Sequence, residues 1–203
     1  MGSVAAMTLL EIDPAMRFVG IDPATTTGVV ALDIEGNVLL QTAIRGKGPK
    51  IPGGISTPQL VSLQNQLYQL LQPGDEILKE DAAPGTQKGI TTGMIHGNLR
   101  TIIHRKGLGF NLIMPNAVKK YVAVTGWTGE PGSKRRLKDK EKKEAMAEAV
   151  KSHFGYTHPS NDVVDAYIIA RIALNLYRMR EYMPLLDTKP YQIEVIESIL
   201  NKA

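Results

Sequence analysis

The alternation of apolar and polar positions divides the chain into short strands followed by longer helices. Arg17 to Asp22 (RFVGID) is an apolar run that ends on an acid. Gly28 to Asp33 (GVVALD) and Asn37 to Ala43 (NVLLQTA) repeat the pattern, joined through the turn residues Glu35, Gly36 and Asn37. Links this short predict an antiparallel meander. A loop rich in Gly and Pro, Gly46 to Ser56, then leads to Ser56-Thr57-Pro58, a cap followed by Pro in the first turn. Leu60, Leu63, Leu67 and Leu70 recur at helical spacing after it, and Pro73-Gly74 ends that helix.

Glu76 to Glu80 (EILKE) is short and bounded by turn residues, as a buried strand between two helices would be. Thr86 to Lys106 is helical in pattern although Gly89, Gly93 and Gly97 interrupt it, and glycines four apart predict that something packs close to the backbone. Gly109 to Met114 (GFNLIM) predicts a fifth strand, and helices are expected from Pro115 to about Val124, Lys138 to Phe154, Asn161 to Tyr177 and Tyr191 to Leu200. Ser160 is the expected cap of the third of these. The order β-β-β-α-β-α-β followed by helices predicts an α/β domain with a five-stranded mixed sheet, a three-strand meander plus two parallel strands. Residues 1–15 are set aside as a tail, 16–180 form the expected domain and 181–203 a C-terminal extension.

Composition narrows the function classes. The absence of cysteine excludes a disulfide scaffold and any Cys-based metal or redox site. No run of about 18 apolar residues exists, so no membrane segment is expected. Met1 to Asp13 lacks the basic start of a signal peptide, which predicts a cytoplasmic protein. The 203 residues carry 24 Lys and Arg against 20 Asp and Glu, a net of +4. Residues 133–143 (SKRRLKDKEKK) alone hold seven basic and two acidic side chains, a net of +5, so the rest of the chain stands at −1. This local patch follows a loop, Gly126 to Gly132, that carries the only tryptophan, Trp127. A basic loop with an exposed aromatic suits nucleic acid, with Lys and Arg on phosphates and Trp127 stacked on a base. Equally, Trp127 could anchor the loop on the core and the charge run could be a solvated helix face.

Four carboxylates stand out by position. Asp22 and Glu80 end two strands, and Asp162 and Asp165 are three apart near the start of a helix, where such residues share a face. Each has an ordinary structural reading when taken alone, as a strand-end acid or a first-turn acid favoured by the helix dipole. Together they fit phosphodiester hydrolysis, in which carboxylate oxygens hold divalent cations about 3.5–4 Å apart. The four histidines, His96, His104, His153 and His158, lie apart without metal spacing, and no Ser/His/Asp set competes.

At this point the chain resembles the RuvC-like Holliday junction resolvases of the ribonuclease H superfold. The resemblance rests on Phe18 to Pro23 with Thr27-Gly28, Asp75 to Glu80, Met114 to Lys120 with Val124-Thr125-Gly126, Lys138 to Glu141, and Asn161 to Ala166. These motifs occur in the family's order and span about Arg17 to Leu174. The resemblance implies that Asp22, Glu80, Asp162 and Asp165 ligate two Mg²⁺, replaceable by Mn²⁺, and that Lys140 contacts the phosphate near the scissile bond. It also implies a homodimer packed through the helix after the glutamate strand, and paired nicks in four-way or other branched DNA that leave 5′-phosphates. The expected DNA-contacting residues are Lys119, Trp127, Lys134, Arg135, Arg136, Lys138 and Lys140. Where bacterial members carry a wedging aromatic three positions after the glutamate, this chain has Ala83. The longer basic loop and the C-terminal extension resemble divergent phage members, so a bacterial or phage-infected host cell is expected. Whether Asp81 joins Glu80 in the site is left open by the sequence.

Two other classes compete. A non-catalytic binder of branched DNA would keep the fold without using the acids. Gly20 to Gly28 (GIDPATTTG) also resembles the first phosphate loop of the actin and Hsp70 ATPases. That group needs a second lobe with another phosphate turn, for which 203 residues leave no room.

Overall fold

The computed structural model describes residues 15–82, 89–130 and 132–201. Five strands form the main sheet: β1 (Phe18–Asp22), β2 (Thr26–Leu32), β3 (Val38–Arg45), β4 (Glu76–Glu80) and β5 (Asn111–Ile113). Their order is β3-β2-β1-β4-β5. The meander β1-β2-β3 is antiparallel, while β4 and β5 join β1 in parallel, which is the ribonuclease H-like arrangement expected from the sequence.

The helices are α1 (Thr57–Leu70), α2 (Gly89–Arg105), α3 (Pro115–Tyr121), α4 (Asp139–Phe154), α5 (Asn161–Arg180) and α6 (Pro190–Leu200). The pleat of β1 sends Val19 and Ile21 into one core with Leu63 and Leu67 of α1 and Leu99 and Ile103 of α2. It sends Phe18 into the other, which α5 dominates. Because α5 lies on the sheet and also meets α3, α4 and α6, nearly all of Val163 to Leu176 is buried. Its hydrophobic pattern therefore lacks a clear polar face, and it runs on to Arg180, past the expected end at Tyr177.

Two further differences from the sequence expectations are local. The basic loop holds a small ribbon, β6 (Trp127–Thr128) paired with β7 (Arg135–Arg136), too short to leave a period in the sequence. Ser160 is the N-cap of α5, but its side chain makes no cap hydrogen bond; its N–H donates instead to His158 Nδ1. Of the helix expected over Thr86 to Lys106, α2 covers Gly89–Arg105 among the described residues, and residues 83–88, Ala83 included, lie outside them.

Beyond residue 180 the chain stays joined to the core. Asp187 is buried and accepts from Tyr121 Oη at 2.8 Å and Asn175 Nδ2 at 2.8 Å, and it pairs with Arg171. The segment leading to α6 is thereby pinned to α3 and α5, and Val195, Ile196 and Ile199 complete the α5 core. No helix among the described residues is long and apolar enough to cross a membrane.

Candidate active site

Strand parity and two glycines bring the four acids together. β1 and β4 are parallel neighbours with Ile21 opposite Lys79, so Asp22 and Glu80 emerge at the same edge of the sheet. Gly20 faces α5, and so does Asp22 two residues on; Leu78 belongs to the α5 core, and Glu80 follows with the same parity. A Cβ at Gly20 would lie 2.1 Å from the Ala166 carbonyl oxygen and one at Gly28 only 1.8 Å from that of Asp162. Only glycine lets the α5 backbone lie this close. Since Gly28 pairs with Asp22 across the ladder, the first turn of α5, with Asp162 and Asp165, is set against the end of β1.

The electrostatics of the four acids are those of a shared pocket. Burial, and after it the charges of Glu80, Asp165 and Asp162, hold the Asp22 carboxyl well above the usual carboxylate range; Lys79 opposes them. Burial and Asp165 push Glu80 up to about 7, with Lys119 and Lys79 pulling back. Asp165 rises to about 6 through burial and Asp162, against Lys119 and Lys143. No three acids or histidines among the described residues are gathered tightly enough to form a ready coordination shell. Mutual perturbation reaches further than ligation distance. It places the carboxylates in one charge environment.

A cleft of about 100 Å³ opens on this cluster, lined by Glu80, Asp165, Asn161, Lys119, Lys142 and Lys143 among others. Lys119 comes from α3, whose start is set by Pro115 at its first position. Lys142 and Lys143 come from α4. They precede the buried Met146 by four and three residues and so lie over its core-facing stripe. Lys140 is six residues before Met146, on another side of the helix; its side chain is 87% exposed and pairs with Glu144. The spacing to Met146 is the sequence signal that points to Lys142 and Lys143.

Of the other candidates, Trp127 is half exposed, at 51%, and Arg136 lies over its ring at 5.2 Å, so the indole does not anchor the loop in the core. Arg135 grips Glu141 with both guanidinium arms, at 2.8 and 2.7 Å. Together with the Lys138 N–H, which donates to the same carboxylate, this fork ties the ribbon to the first turn of α4. Lys134 and Lys138 are exposed. Asp81 points away from the cluster: parity puts it on the Lys79 side of the sheet, and its Oδ1 accepts from Arg100 and from the Ala82 N–H.

No protein-family model matches the chain, and no curated protein matches its sequence. Solved structures do. The structure of RuvC from T. thermophilus in complex with a Holliday junction substrate superposes with a TM-score of 0.57 at 17% identity, covering 81% of this chain and 95% of that one. A second Thermus thermophilus RuvC structure superposes with a TM-score of 0.54 at 18% identity, covering 83% and 98%. The chain has a RuvC-like fold, reached at a sequence distance where only the fold carries over.

Proposed function

We propose that this RuvC-like fold serves as a divalent-metal-dependent endonuclease that cuts four-way DNA junctions or related branched DNA. The observation that carries the reading is that Asp22, Glu80 and Asp165, half-buried at the ends of three elements, are perturbed by one another's charge and by that of Asp162, with Lys119 and Lys143 lining the adjoining cleft. Burying several carboxylates together is costly unless positive charge joins them. The donors are all hard oxygens, and nearby cations favour their ionised form, so the residues fit Mg²⁺, two per site, or Mn²⁺.

Asp22, Glu80, Asp162 and Asp165 would hold the metal, which when bound supplies Lewis acidity and an ionised water for phosphodiester hydrolysis. The chain's own residues do the rest. Lys119 and Lys143 would offset phosphate charge at the cleft, and the ends of β1, β4 and α5 would carry the carboxylates that hold the ions. Cleavage of the P–O3′ bond leaves 5′-phosphate ends. Lys134, Arg136, Lys138 and Lys140 extend a positive surface from the cleft along the ribbon, where Trp127 offers a stacking face in place of the absent wedge at Ala83.

A homodimer through α2 suits paired nicking. Gly93 and Gly97 meet nothing within 4 Å, and Ile90 and Met94 on the same helix are 83% and 44% exposed. The close packing expected of these glycines is not supplied by the described residues, which leaves the face for a second copy. The nuclease unit is residues 16–180 with α6 packed onto its core, and a cytoplasmic setting in a bacterial or phage-infected cell accords with the proposed DNA substrate.

Incubating the protein with labelled four-way junction, fork, flap and duplex in Mg²⁺ tests the reading. Junction cleavage that Asp162→Asn abolishes while junction binding persists is expected. Undiminished cutting by that variant refutes the site. Junction binding with no product at any Mg²⁺ or Mn²⁺ concentration would make the protein a non-catalytic branched-DNA binder.

A further inference from the structure

On the far side of the sheet from the acids, Lys79 is fully buried in β4, in a layer otherwise built from Ile77, Ile95, Leu99 and their like. A buried ammonium group is expensive and is retained only where its donors are used. Lys79 Nζ donates to the Glu80 carbonyl oxygen at 2.7 Å and meets His96 Nδ1 of α2 at 2.9 Å. An ammonium nitrogen can only donate, so Nδ1 is the acceptor and the imidazole carries its proton on Nε2. His96 is itself buried, and its remaining partner is the Pro23 backbone. Proline has no N–H, so the Pro23 group that acts on the His96 ring is its carbonyl.

The result is a bridge from the carbonyl of Glu80 through Lys79 to His96, whose ring also feels the carbonyl of Pro23, the residue that follows Asp22. It spans the ends of two adjacent parallel strands at the point where ladder pairing stops, since the register runs only to Ile21 opposite Lys79. Asp22 and Glu80 are paired to outer neighbours, Gly28 and Ile113, and not to each other, so the bridge is a link between β1 and β4 beyond their last ladder pair.

We propose that Lys79 and His96 are positioning residues that set the separation of Asp22 and Glu80, and so the affinity of the pair for a divalent cation. The inference rests on the metal-site reading above. Neither residue touches substrate or metal; both act through the backbone beside the ligands, as outer partners of metal ligands do.

A merely structural role makes a different forecast. Apolar replacement of a buried polar pair is often neutral or stabilising, so Lys79→Met with His96→Leu should melt at or above the wild-type temperature. Titrating Mn²⁺ into the full-length protein by calorimetry, in the absence of DNA, should nonetheless show affinity weakened about 10- to 100-fold. Junction binding in EDTA should be unchanged. His96→Gln, whose amide can accept and donate, should recover affinity that His96→Leu loses. Wild-type Mn²⁺ affinity in the double variant overturns the proposal. If the double variant does not fold, equal affinities of His96→Gln and His96→Leu overturn it equally. Wild-type protein that takes up no Mn²⁺ refutes the metal site itself, and the bridge's role falls with it.

Discussion

Gly28 and Asp162 are in backbone contact: a Cβ on residue 28 would lie 1.8 Å from the Asp162 carbonyl oxygen. The contact decides where the first turn of α5 can sit, and Asp22 is the ladder partner of Gly28. Gly28→Ala should therefore push α5 outward, at a cost of about 1–3 kcal/mol of overpacking. Melting curves should fall by about 2–4 °C per kcal/mol, and junction cleavage should drop further than stability explains. Gly109→Ala, whose Cβ meets nothing within 4 Å, is the control and should leave both unchanged.

The raised carboxyls make a prediction about pH. Asp22, Glu80 and Asp165 all bind protons more tightly folded than unfolded, so their protonation stabilises the fold. That contribution is complete below the ordinary carboxylate range and is lost as pH rises through about 6 for Asp165 and about 7 for Glu80. In EDTA, stability should fall as pH rises through this window, by at most about 1.4 kcal/mol per pH unit for each proton. Glu80→Gln should flatten the profile, and added Mg²⁺ should raise stability most at the high-pH end. A flat wild-type profile would contradict the clustering of the acids.

The lysines divide by placement. Lys119→Ala and Lys143→Ala each remove a charge at the carboxylate cleft and should slow junction cleavage about 10- to 100-fold with binding little changed. Lys140→Ala, on the solvent side of α4, should cost far less. Single-turnover cleavage rates compare the three directly, and a dominant Lys140 effect would mean that α4 turns on binding DNA.

On the ribbon, Trp127→Ala should weaken junction binding by about 1–3 kcal/mol if the indole stacks on a base. Neutralising Lys134 and Arg136 together should reduce the slope of log K against log salt by about 2. Arg135→Ala should change the slope less, because its guanidinium is already engaged by Glu141. Binding measured across a salt series separates these outcomes.

The exposed face of α2 predicts association. Met94→Glu should convert a dimer to a monomer in sedimentation experiments and uncouple the paired nicks, since a charge there would be buried unpaired. Unaltered sedimentation would place the interface elsewhere.

Much of this was legible in the chain itself. The strand and helix periods, the ends of β1 and β4 on acids, and the i, i+3 pair in α5 are local patterns, and local patterns determine element type and parity. The same parity separates Glu80 from Asp81 once the direction of one face is known. What no local pattern carries is which elements meet. That Gly20 and Gly28 admit the α5 backbone, that Lys143 rather than Lys140 faces the acids, and that Lys79 reaches His96 across the sheet all depend on contacts between residues far apart in the chain. The sequence determined the chemistry available at each strand end and helix start. Tertiary packing alone decided the charge environment that the four acids share, because it belongs to the space between elements.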